Sequence, residues 1–106
     1  MIRPLSATVL IAALVPAAAH AQDAQRGRAL AERWCTACHV VSDSMPGGTL
    51  GPAFGAMRTL RGRSTAQLTG WIAAPHGPMP DFNLSGREIR DLVAYIDALA
   101  AQAEGR

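Results

Sequence analysis

The chain has 106 residues, ten of them basic and eight acidic, for a formal net charge of +2. That length suits one small domain. Every basic residue is Arg, the excess is slight, and no basic stripe is interleaved with aromatics, so nothing points to nucleic acid as a partner.

Residues 1–21 are expected to be a cleaved secretory signal peptide. Met1-Ile2-Arg3 is a short positive n-region, Leu5 to Ala19 is apolar, and Ala19-His20-Ala21 is an A-x-A cleavage site ahead of polar Gln22-Asp23. An uncleaved anchor is the competing reading, but the apolar run is short for a span and Pro16 and His20 interrupt its far end. No other segment is long and apolar enough to cross a bilayer, so no membrane span is expected after cleavage. Residues 22–106 then form the domain, with nine Arg against eight acids. At 85 residues it is near the size where an unaided apolar core becomes marginal.

Asp23 is read as the N-cap of a first helix. Ala24, Gly27, Leu30, Ala31 and Trp34 fall on one face, while Arg26, Arg28, Glu32 and Arg33 take the other. Gly27 costs helix propensity, which suggests close approach of another helix. The helix delivers Trp34-Cys35-Thr36-Ala37-Cys38-His39, a C-x-x-C-H motif of the kind that attaches c-type haem. Two thiols three residues apart can each add to one haem vinyl group along one porphyrin edge. His39 then supplies an imidazole nitrogen to the iron. These are the chain's only cysteines, so one covalent haem c uses both. A redox dithiol would expect a βαβ setting, which is not visible here. A structural zinc site would need four ligands, and only His76 remains outside the motif and leader.

The motif resembles that of class I c-type cytochromes. The resemblance covers nearly all of 23–99 and implies an all-α, single-domain fold of three to four helices wrapped around the haem. It implies export to the periplasm, where such haem is attached. It places Gly27 where the first and last helices cross, opposite Leu92 and Tyr95. Two haem propionates would take the charge slightly negative.

From Val40 to Phe54 the chain reads as loop, with Pro46-Gly47-Gly48 and Gly51-Pro52. The resemblance gives the carbonyl of Pro52 the role of accepting the second ring N–H of His39; the alternative is an ordinary turn proline. Arg58, Arg61 and Arg63 form a basic cluster, either a solvated face or a contact for a propionate or an acidic partner. Ser64 and Gln67 form an S-x-x-Q capping box for a short helix carrying Leu68, Trp71 and Ile72, which Pro75 stops. Trp71 is expected to pack against the haem, and its indole N–H offers a donor to a propionate.

Pro75-His76-Gly77-Pro78-Met79-Pro80 follows, a proline-stiffened loop. It resembles the loop that carries the family's methionine ligand, so Met79 is assigned the sixth position on the iron. His76 and an open site are the alternatives, and Met45 and Met57 are set aside as ligands. Thioether sulfur favours Fe(II) and raises the potential relative to a second imidazole. The last helix opens on a Ser85–Glu88 capping box and repeats Ile89, Leu92, Val93, Ile96 and Leu99 with helical period, leaving Asp91 and Asp97 outward. The tail from Ala101 is expected to fray.

The expected function is one-electron transfer between redox partner proteins, as a monomer or as a subunit of a complex, with no catalytic side chain. The rivals are a haem-bearing subunit of a larger oxidoreductase and a haem sensor in which Met79 dissociates.

Overall fold

The computed structural model describes residues 18–74 and 77–105, with side chains from Ala24 onward, together with residues 1, 11 and 13. The leader expected at 1–21 lies mostly outside the described residues, and so do Pro75 and His76. The elements are α1 (Ala18–Trp34), a 3-10 turn (Phe54–Ala56), α2 (Thr65–Ala73) and α3 (Gly86–Glu104). The all-α reading holds, with no β-strand among the described residues beyond an isolated Ser42–Met45 bridge.

Local chemistry sets most helix ends. Ser64 Oγ accepts from the Gln67 amide at 3.1 Å while Gln67 Oε1 accepts from the Ser64 amide at 2.8 Å. At α3 the same reciprocal pair joins Ser85 and Glu88, at 3.1 and 2.7 Å. Each box satisfies two amide donors that the first helical turn leaves unpaired. Asp23 is not a cap: α1 starts at Ala18, because Ala18, Ala19 and Ala21 are strong helix formers that extend the periodic segment backwards. The tail is helical to Glu104 instead of fraying at Ala101, for the same reason: Ala98, Ala100, Ala101 and Ala103 favour helix at little entropic cost.

α1 packs chiefly on α3, and α2 and the 3-10 turn lie against α3. The α1–α3 crossing is at Gly27, where an added Cβ would run into the carbonyl of Asp91 and the Cβ of Tyr95. Tyr95 therefore faces Gly27 as expected, with Asp91 beside it, and Leu92 is buried and lines the cleft described below. Asp91 does not point outward. It is 4% exposed, and Arg26 of α1 places Nε 3.0 Å from its carboxylate. Close backbone approach buries this position, and the arginine supplies the counter-charge a buried carboxylate needs. The core joins Ala31, Val41, Phe54, Leu68, Leu92, Val93, Tyr95 and Ile96. The hydroxyl of Tyr95 donates to the Val41 carbonyl at 2.6 Å, tying α3 to the segment just after His39.

Candidate functional site

The C-x-x-C-H segment continues α1 as a tight turn. Cys35 donates its amide to Ala31 O at 2.9 Å, and the amides of Cys38 and His39 both reach Cys35 O, at 3.2 and 2.9 Å. The loop that follows folds back and is laced to this turn by backbone bonds. Gly48 N donates to Thr36 O and Gly51 N to Cys38 O, each at 2.8 Å, and Phe54 N donates to Val40 O at 2.9 Å. Three backbone bonds thus tie the loop to the motif and to Val40 just after it.

That lacing brings Gly51-Pro52 against the His39 ring. His39 Nδ1 lies 2.7 Å from the Pro52 carbonyl. A carbonyl can only accept, so Nδ1 is the donor here, and in the neutral ring that leaves the lone pair on Nε2. The ring and the Gly51 backbone touch so closely that a Cβ there would enter the imidazole. On its other side His39 meets the Phe54 ring, edge to face, with centroids 5.3 Å apart and planes at 63°.

His39 and Cys35 line an open cleft. Its walls are apolar: Leu30 and Trp34 from α1, Leu68 and Ile72 from α2, Leu92 and Ile96 from α3. Met79 lines the same cleft from the far half of the chain. An adjoining depression shares Cys35, His39 and Met79 and adds Cys38 and Leu50. Burial, with Cys38 nearby as the lesser cause, pushes the Cys35 thiol up to about 11. The Met79 loop is pinned downstream by an Asx turn, Asp81 Oδ1 accepting from the Asn83 amide at 2.8 Å with Asn83 at φ 52°. Phe82 on this loop packs on Trp34, centroids 5.8 Å apart.

Of the residues singled out in the sequence, Cys35, Cys38, His39, Pro52, Trp71 and Met79 all border this one region. Trp71 stands at its edge, 47% exposed, with the Arg63 guanidinium 4.7 Å over its ring. The arginine cluster divides. Arg61 and Arg63 border the cleft, whereas Arg58 turns away to Asp97, Nε to Oδ1 3.0 Å, and donates to Arg63 O and Thr65 Oγ1. Among the methionines, Met45 is also followed by a proline, so that pair alone does not single out Met79. Met45 does not line the cleft, whereas Met57 does and packs against the core. Phe54 was not legible as a site residue. Its only local signal is an aromatic in a loop two residues past Pro52, and its burial depends on α3.

The cleft suits an iron porphyrin. Its walls are apolar, two thiols border it, one imidazole has its Nδ1–H held by a carbonyl so that Nε2 is left to bind, and a thioether approaches from another loop.

Comparison with known proteins gives the same class. The family model described as cytochrome c oxidase, cbb3-type, subunit III matches residues 22–96. Cytochrome c-552 of Bradyrhizobium diazoefficiens is 37% identical over 92 residues, covering 86% of this chain and 88% of that protein. No solved structure matches significantly. The chain belongs to this family of small c-type cytochromes. Its cofactor is haem c, and it is a haem-bearing electron-transfer protein that works with redox partners.

Proposed function

We propose that the protein is a one-electron carrier of the periplasm, with haem c held by thioether bonds to Cys35 and Cys38 and by His39 and Met79 as axial ligands. One observation carries this reading. A carbonyl-oriented imidazole and a methionine forty residues away in the chain line the same apolar cleft as the two thiols. When bound, the haem supplies a one-electron Fe(III)/Fe(II) couple. The chain's own residues do the rest. Pro52 O holds the His39 proton at Nδ1, which keeps Nε2 basic. The apolar walls exclude water and favour the less charged reduced state. Arg61 and Arg63, at the cleft edge, balance the propionates, and Trp71 closes that edge. With both axial positions taken by side chains, the protein is a carrier and not an enzyme.

Residues 1–21 direct export in this reading. Cleavage after Ala21 trims the first turn of α1 and leaves 22–106 as the mature domain. Among the described residues no helix is long and apolar enough to cross a membrane. Expression with export and haem attachment tests the assignment. Haem is expected to stay with the wild-type polypeptide through denaturation and acid–solvent extraction, and to be lost from a Cys35→Ala/Cys38→Ala variant. Haem that is extractable from the wild type would refute covalent attachment at these positions.

A second reading has one observation in its favour: the matching family is that of a subunit of an oxidase. In it the same haem serves inside a larger oxidoreductase. Recovery of the native protein only in a stable complex with a catalytic chain would favour that arrangement. A fully soluble, monomeric and redox-competent protein favours the free carrier.

A further inference from the structure

The cleft explains His39 as a donor but leaves open what fixes the angle of its ring. A hydrogen bond at Nδ1 restrains one edge, yet a ring can still swing about that point. The second restraint is Phe54. This side chain is 5% exposed and meets His39 edge to face at 5.3 Å. Phe54 is in turn braced: its amide is tied to Val40 O at 2.9 Å, and its ring lies against that of Tyr95, centroids 6.5 Å apart at 56°. Tyr95, 6% exposed, holds the neighbouring Val41 carbonyl through its hydroxyl at 2.6 Å. Val41 is itself 1% exposed. Tyr95 of α3 therefore touches the Phe54 ring and holds the backbone two residues past His39.

We infer that Phe54 is a positioning residue that sets the plane of the His39 imidazole, with Tyr95 as its brace. The edge-to-face contact has a preferred geometry, so ring rotation of His39 would break it. The Gly51 backbone, which lies against the same ring, limits that rotation further. The consequence is electronic. The plane of an axial imidazole decides which porphyrin π orbital shares the unpaired electron of Fe(III), and so decides how spin is distributed over the four haem methyl groups.

This inference rests on His39 being an iron ligand, and the test separates the two. The probe is the proton NMR spectrum of the oxidised, haem-loaded protein, read for the four haem-methyl resonances. In Phe54→Leu, which keeps an apolar side chain but removes the ring edge, the order or spread of the four methyl shifts is expected to change. In Tyr95→Phe, which keeps both rings but frees the Val41 carbonyl, the pattern should move in the same direction by a smaller amount. Should Phe54→Leu fail to fold, the Tyr95→Phe spectrum decides alone. An unchanged methyl pattern in the folded variants, even with lowered thermal stability, would overturn the inference by making both residues mere core. If the wild type itself lacks the hyperfine-shifted ring protons of a bound histidine, the ligand assignment has failed instead.

Discussion

Gly27 and Asp91 meet at the crossing of α1 and α3 so closely that a Cβ on the glycine would overlap the aspartate carbonyl. The obstacle is backbone, which cannot rotate aside. Gly27→Ala should therefore destabilise the haem-loaded protein despite alanine's better helix propensity, by about 2 kcal/mol, or roughly 10 °C in Tm. Thermal unfolding followed by circular dichroism checks this, and an unchanged or raised Tm would show that the crossing opens freely.

The same crossing buries a charge. The Asp91 side chain is 6% exposed and Arg26 reaches it at 3.0 Å, although Arg26 itself is 42% exposed. Removing Arg26 leaves the buried Asp91 carboxylate poorly satisfied. Arg26→Ala should cost about 1–2 kcal/mol, and a double-mutant cycle with Asp91→Ala should return a coupling near 1 kcal/mol. A coupling near zero would reduce the pair to a surface contact.

How far the sequence could lead is visible at these positions. The two capping boxes and the helical repeat of α3 are local patterns, and they form as read. The glycine at the crossing was legible as a close approach. Asp91 was not, because a helical repeat assigns polar residues to the outside, whereas Arg26 lies 65 positions away in the chain and its pairing has no local signature. Phe54 fails for a related reason: a loop carries no periodicity, so its burial follows only from where α3 passes. The start of α1 was misplaced because an aspartate resembles a cap wherever it stands, and only the preceding alanines reveal that the helix has already begun.

Tyr95 adds a pH dependence. Burial raises its phenol pKa, with weaker influences from Arg28, Glu32 and Asp43. The folded state thus favours the neutral form. Its contribution is fully present below the unfolded value near 10 and is lost as pH rises through the raised folded value. At pH 7, Tyr95→Phe should cost about 1 kcal/mol for the lost bond to Val41. As pH rises from about 10 upward, the gap between wild type and variant should shrink. Denaturant midpoints across that range test the sign; a gap that widens would contradict it.

Gly51 and Pro52 should separate sharply on substitution. Pro52 acts through its carbonyl, which Pro52→Ala retains, so low-spin haem with His39 bound should persist. Gly51→Ala should displace the imidazole, since the new Cβ falls on the ring. The visible spectra of the two variants check this, and a normal low-spin Gly51→Ala protein would mean the loop yields.

The arginines should divide in the same way. Arg63→Gln removes a positive charge at the cleft edge and should lower the reduction potential by tens of millivolts, more at low salt. Arg58→Gln should leave the potential nearly unchanged and lower stability modestly, because Arg58 serves Asp97, Thr65 and the Arg63 carbonyl. Redox titrations at two ionic strengths distinguish them. Equal effects would return the cluster to a single solvated face.

The central claim, axial ligation by His39 and Met79, is tested most directly by absorption spectroscopy of the haem-loaded wild type beside Met79→Ala. The oxidised wild type should show a weak far-red charge-transfer band, with sharp low-spin bands on reduction and no response to carbon monoxide. Met79→Ala should lose the far-red band and bind carbon monoxide at once when reduced. A wild type that is high-spin or takes up carbon monoxide immediately, or a Met79→Ala spectrum identical to the wild type, would contradict it.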